Sequence, residues 1–219
     1  LFRIKPMTHD RLIERLTEDL KPVRRRRPSQ DFAVVAAICA IELALFFAMG
    51  AARPDMMNMI HQPSVCWRLG SLGLIALSSF CFAILSFNPV YSPKRGISWL
   101  ALIVMICLAV GVLVGAGPDA QFSILRRLYW QGGLQCTTKV VLLSIPPVIG
   151  LALLMRRGAP TDMERTALLA GLAAASWGAF VFVFACPSDD PLYIAVWYSA
   201  GCGIVTALSR LILPRLARW

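Results

Sequence analysis

Charge is scarce in this sequence. Only 16% of its 219 residues are Asp, Glu, Lys or Arg, against about 25% in an ordinary soluble domain. Histidine is scarcer still: His9 and His61 are the only two, which leaves little imidazole for acid–base catalysis. No phosphate-binding Gly-rich loop, HExxH, GxSxG or Ser/His/Asp arrangement is present. The seven cysteines include no CxxC pair and no Cys/His cluster of zinc-finger spacing, so a thiol oxidase or zinc module is a poor fit. Nothing in the pattern reads as an enzyme. A disordered chain, a soluble nucleic-acid-binding domain and a small disulfide-rich scaffold fit equally badly.

Apolar residues are what the chain has in excess, at 58% against roughly 45–50% for soluble domains. A hydrocarbon core about 30 Å thick needs about 20 such residues in a helix. Six stretches satisfy that: 32–50, 69–87, 97–117, 137–155, 166–186 and 192–213. They are continuous runs without alternation, which argues against a strand barrel. About 30 mostly polar residues precede the first, which argues against a cleaved signal peptide. The expected fold is all-α: a polytopic membrane bundle of six helices (31–219) behind a short N-terminal segment (1–30).

The basic residues set the expected orientation. Of the 22 Lys and Arg, 17 fall on the side of the N-terminus and five, Arg53, Arg68, Arg126, Arg127 and Lys139, on the other. Both chain ends should therefore be cytoplasmic. Gly111/Gly115 and Gly171/Ala175 offer small surfaces for close helix packing. Trp99, Trp130, Trp197 and Trp219 are candidate interfacial anchors. Pro146-Pro147 should kink the fourth helix. Glu42, the one clearly intramembrane carboxyl, is expected to neutralise by burial or to pair with Lys139 or Arg210.

In the N-terminal segment, Leu12, Leu16 and Leu20 recur every four residues with Ile13 beside them, the pattern of an amphipathic helix capped by Thr8 and stopped by Pro22. A helix of about 13 residues is marginal alone, so its stripe needs a surface: the bilayer, the cytoplasmic loops or a partner's groove. Its mixed charge, with Asp10, Glu14, Glu18 and Asp19 against Arg11, Arg15 and Lys21, is unlike the cationic face of a helix resting on anionic lipid. Arg24 to Arg27 form a topology signal that also attracts anionic headgroups.

Cys39, Cys81, Cys107 and Cys202 fall inside spans and read as small core residues. Cys66, Cys136 and Cys186 sit at the opposite end from the N-terminus. Cys136 lies 20 residues before Arg156 and Cys186 lies 21 after Arg165, so both stand about 30 Å above one plane. The connection between their helices is short, which makes them antiparallel neighbours. Two thiols at matched depth can form a disulfide, react with oxidants or bind a soft metal ion. A structural disulfide and two unrelated buried thiols fit the spacing as well. Cys66, His61 and Asp189 are candidate additional ligands on the same side, with Asp119 and Asp190 near them in the pattern.

Several short motifs occur in a telling order: Leu20-Lys21-Pro22-Val23-Arg24-Arg25, Cys136 opening the fourth span, Arg156-Arg157-Gly158-Ala159-Pro160 after it, and Cys186-Pro187 closing the fifth. In this the chain, from Thr8 onward, resembles the NrsF family of bacterial membrane anti-sigma factors. Residues Leu1 to Pro6 lie outside the likeness and are assigned no function. The resemblance implies a multi-pass inner-membrane protein that holds an extracytoplasmic-function sigma factor through its N-terminal segment, without contacting nucleic acid itself. It further implies that Cys136 and Cys186 sense heavy metal or oxidative stress, with no required cofactor beyond a transient metal ion at that pair. On this view Leu12, Ile13, Leu16, Leu20, Arg24 and Arg25 bind the partner. The rival expectations are a small six-span transporter or channel and a structural subunit of a larger membrane complex.

Overall fold

A computed structural model describes Ile13, Thr17 and residues 27–114, 130–188 and 190–217. Every regular element among them is helical. Six long helices, α1 (Pro28–Ala48), α2 (Pro63–Ser86), α3 (Pro93–Val114), α4 (Trp130–Arg156), α5 (Met163–Val183) and α6 (Pro191–Ala217), are joined by one single-turn helix, Met56–Met59. All six are long and apolar enough to cross a membrane.

The helices overrun most of the apolar stretches. Four of them open on proline, at Pro28, Pro63, Pro93 and Pro191. A proline's missing N–H is no loss in a first turn and its fixed φ already suits the helix. The helix therefore starts at the proline rather than at the first of the apolar residues. In α4 the start moves from Thr137 back to Trp130, and α6 continues through Pro214 to Ala217. At the fifth span the shift is the other way: α5 stops at Val183, so Cys186 lies in the turn beyond it. Gly50 closes α1 with φ +64°, a conformation glycine adopts without strain, and its N–H donates to Phe47 O at 3.0 Å. Pro146 and Pro147 both lie inside α4, which runs unbroken through them.

α5 is the axis of the bundle. In its apolar stretch 78% of residues are buried, against 17% in α3. The physical reason is size: Ala167, Ala170, Ala173, Ala174, Ala175 and Ala179 let neighbours approach from every side. Gly171 meets α6, where an added Cβ would stand 2.6 Å from Ser209 Cβ. Gly178 meets α4, where it would stand 2.8 Å from Val140 O. The close packing expected at Gly171/Ala175 is thus the α5–α6 seam. Gly111 faces the Trp67 indole instead, and Gly115 lies outside the described residues.

Two apolar clusters fill the interior. One occupies the half nearer the N-terminus, around Val35, Ala83, Leu151, Met155, Leu169 and Ala173. The other fills the opposite end around Val65, Cys136, Val140, Phe182, Cys186 and Tyr198. Of the four cysteines read as small core residues, Cys39 and Cys107 are buried, while Cys81 and Cys202 are half-buried. Trp99 and Trp130 are exposed, as interfacial anchors would be. Trp197 is instead packed against Gly133, and Trp219 lies outside the described residues.

Glu42 pairs with neither cation expected for it. Arg210 Nη2 is 3.2 Å from Glu164 Oε2 at the end of the bundle nearer the N-terminus. Lys139 Nζ lies 5.8 Å from the centroid of the Phe182 ring. The Glu42 carboxylate accepts a hydrogen bond from Trp177 Nε1 at 3.0 Å, joining α1 to α5. Helices distant in sequence supply this pair, so no local spacing announces it.

Candidate functional site

The end of the bundle opposite the N-terminus is held by polar groups as well as by packing. Beyond α5 the chain turns through residues 184–188, and this turn exposes backbone carbonyls that need donors. Two arginines supply them. Arg53, after α1, donates its backbone N–H to Phe184 O at 2.8 Å and its Nη1 to Cys186 O at 3.1 Å. Arg68, in α2, donates Nη1 to Ser188 O at 3.1 Å. Asp55 fixes the Arg53 guanidinium from outside, through Nε to Oδ1 at 2.9 Å and Nη2 to Oδ2 at 2.8 Å. The same guanidinium holds the Asp55 carboxyl below the usual carboxylate range.

Beneath this clamp lie Cys136 and Cys186. Both thiols are free and buried, with 4% and 1% of their surfaces exposed. Cys136 comes from the second turn of α4 and Cys186 from the turn after α5, so the two thiols are neighbours in one buried cluster where these antiparallel helices converge. The face of α6 completes the pocket. Tyr193 Oη is 3.5 Å from Cys136 Sγ, and Thr137 Oγ1 donates to Trp197 O at 3.2 Å. Tyr198, 4% exposed, packs its ring 5.7 Å from that of Phe182 and faces the Cys186 thiol.

These surroundings make the two thiols unequal. Cys186 is pushed down from the ordinary thiol value to about 6. The neighbouring Cys136 thiol is the chief cause; the Tyr198 hydroxyl, the Ser188 backbone and the Arg68 charge act the same way, against the effect of burial. A dithiol of this kind can lose two electrons and two protons to an oxidant and become a disulfide. Alternatively, it can exchange two protons for one soft metal ion.

Among the described residues, no three of His, Cys, Asp and Glu stand together as a metal site. Cys66 shares this end of the molecule, yet its exposed thiol donates to Ile60 O at 2.8 Å, and His61 is exposed. The structure therefore brings Cys136 and Cys186 together without Cys66 or His61, and Asp189 lies outside the described residues. Asp190 accepts the backbone N–H of Leu192 at 2.9 Å, capping α6. Of the N-terminal helix, Ile13 and Thr17 are helical and exposed, with Thr17 Oγ1 donating to Ile13 O at 2.9 Å. Leu12, Leu16, Leu20, Arg24 and Arg25 lie outside the described residues.

Sequence reasoning missed Arg53, Arg68, Tyr193 and Tyr198. A signal for the arginines was present: they are basic residues on the side where basic residues are few. The tyrosines carried none, because only the rotation of α6 about its axis aims them at the sulfurs.

Comparison with known proteins decides the family. Residues 16–219 match the family described as NrsF, negative regulator of sigma F. The chain belongs to the NrsF family. The anti-sigma-F factor NrsF of Caulobacter vibrioides is 27% identical over 201 residues, covering 89% of this chain and 92% of that protein. The probable anti-sigma-F factor NrsF of Azospira oryzae is 25% identical over 181 residues, covering 80% and 82%. No solved structure matches. Membership of NrsF makes the protein a regulator of the anti-sigma class, and its six apolar helices make it a membrane protein.

Proposed function

We propose that this NrsF protein sits in the bacterial inner membrane with both ends cytoplasmic. There it sequesters an extracytoplasmic-function sigma factor on its N-terminal segment and lets it go under heavy-metal or oxidative stress. The stress reaches Cys136 and Cys186 from the other side of the bilayer. The observation that carries this reading is the juxtaposed pair of free thiols at the end of the bundle away from the N-terminus. Basic-residue counts of 17 against five support the orientation.

The leucine stripe of the N-terminal helix, Leu12, Leu16 and Leu20 with Ile13, enters an apolar groove on the sigma factor, and Arg24 and Arg25 meet acidic groups at its edge. At the pocket an oxidant removes two electrons and two protons and joins the sulfurs. A soft ion such as mercuric ion instead displaces both thiol protons and is held transiently between them. Either event favours a packing of α4, α5 and α6 different from the resting one. A difference of about 3 kcal/mol between packings changes the bound-to-free ratio of the partner roughly a hundredfold.

The test uses full-length protein in cells carrying a reporter driven by the sigma factor. Cys136→Ser and Cys186→Ser should each keep resting repression and abolish induction by diamide or mercuric ion. Leu16→Asp should lose repression altogether. Normal induction in both cysteine variants removes the sensor, and intact repression by Leu16→Asp removes the helix groove.

A further inference from the structure

Under the sensor reading, a change at Cys186 must reach the N-terminal segment at the far end of the bundle. The thiol pocket involves α4, α5 and α6, whereas the segment continues directly into α1 at Pro28. α1 is held mainly by α4 and more lightly by α2. Its ties to α5, the helix that leads to Cys186, are few and specific.

Two side-chain junctions are among those ties. Near the outer end, the Phe47 ring of α1 stands 5.3 Å from that of Phe184, edge to face, and Phe184 is two residues before Cys186. Phe184 also meets Phe180 at 5.8 Å, and Phe180 stacks on Trp177 at 5.4 Å. Trp177 then donates its indole N–H to Glu42 of α1 at 3.0 Å. A row of rings thus descends from the turn bearing Cys186 and ends on a buried carboxylate.

The carboxylate is costly where it stands. Glu42 is 9% exposed, and its second oxygen, Oε1, has no hydrogen-bond partner among the described residues. An acidic side chain inside a bilayer, held by a single indole, contributes less to stability than an apolar residue of its size would. Placed between the one helix that enters the N-terminal segment and the one that leads to the thiol turn, it has another use. A hydrogen bond is directional, so a shift of about 1–2 Å between two packed helices makes or breaks it.

We propose that Glu42 and Trp177 form a latch between α1 and α5 that carries the state of the Cys136/Cys186 pocket to the N-terminal segment. Glu42 is the positioning residue of the pair. The latch rests on the sensor reading, since it transmits what the thiols report. Movement of the turn after α5 displaces Phe184 and Phe180, tilts Trp177 and withdraws its N–H from Glu42. α1, a single unbroken helix, then shifts as a unit and moves the point at which the N-terminal segment leaves the membrane.

Three variants of the full chain test this, with membrane abundance, resting repression, diamide consumption by Cys186 and reporter induction measured together. Trp177→Phe and Glu42→Leu, which lack the bond already at rest, should keep thiol consumption yet raise resting reporter output, so that fold induction falls about tenfold, within the 5- to 150-fold range of ordinary coupling between sites. Glu42→Gln, whose amide oxygen still accepts from Trp177, should induce normally. Induction within about twofold of the parent in both Trp177→Phe and Glu42→Leu overturns the latch. If Cys186→Ser is silent while those two respond normally, the latch alone falls; if Cys186→Ser also responds, the sensor falls with it. A measurement on the unaltered protein stands even where a variant fails to accumulate. The carboxyl infrared band of Glu42, assigned by its loss in Glu42→Gln or by isotope-edited glutamate, should move when diamide oxidises the pair. A band that stays fixed overturns the proposal.

Discussion

At the end of the bundle that leads to the N-terminal segment, Val35, Leu151, Met155, Leu169 and Ala173 close on one another as apolar side chains, and the ion pairs there, such as Glu164–Arg210, lie at the surface. At the other end, buried thiols, tyrosine hydroxyls and two arginine-capped carbonyl groups share the interior with the packing. The same six helices therefore carry two kinds of construction. Packing tolerates only one arrangement and resists change. A polar pocket can exchange one set of partners for another, which suits it to report a chemical event.

The contrast can be broken most severely along α4 and α5. Gly178→Leu would force a side chain into the space of Ser144 and the Val140 carbonyl, and Leu151→Ala would open a cavity where exposure is 0%. Overpacking costs about 1–3 kcal/mol and often more, and Leu→Ala about 2–5. Both should show as loss of folded protein or a lowered unfolding temperature in detergent, and Leu151→Ala should leave the Cys186 alkylation rate unchanged. An altered rate would mean that the two ends are not independently built.

Arg68→Ala sharpens the comparison from the other side. It leaves the Ser188 carbonyl without its guanidinium donor, at a local cost of about 1–3 kcal/mol. At a pH well above its titration, where loss of the Arg68 charge leaves the thiolate fraction unchanged, Cys186 should then alkylate at least several-fold faster with a small thiol reagent, while the thermal transition moves less than for Leu151→Ala. Equal rates would remove Arg68 from the clamp.

How far these features were legible in the sequence differs between the ends as well. The six helices were, because each apolar run is long enough to span a bilayer; their starts were not, because a proline ahead of the run already begins the helix. The matched depth of Cys136 and Cys186 followed from counting along two neighbouring helices. Their surroundings did not, since Arg53, Arg68, Tyr193 and Tyr198 arrive from α6, α2 and the connection after α1. The partner of Glu42 was hidden for the same reason: Trp177 lies 135 residues away. Arg210, expected as a candidate partner for Glu42, instead meets Glu164 across the α5–α6 seam.

A smaller effect concerns acidity. With the Cys186 thiol at about 6, its alkylation should rise as pH passes upward through that value and level off by about pH 8. Below pH 6 the protonated thiol should react slowly. Cys136→Ala, which removes the neighbouring thiol that does most to lower Cys186, should move the whole profile upward; a profile that stays in place would mean that Cys136 does not set it. The smallest effect is expected at the opposite end, where Arg210→Gln removes an ion pair whose two side chains are 55% and 67% exposed. Its cost should be within about 1 kcal/mol by thermal unfolding.

α3 leaves one consequence for the membrane itself. Among the described residues its side chains Leu102, Met105, Ile106 and Leu108 face outward, and its protein neighbour is chiefly α2. For most of its circumference, acyl chains are the solvent. A thinner or thicker bilayer should therefore tilt α3 first, pivoting it on α2, while α5, screened from lipid by its neighbours, keeps its place.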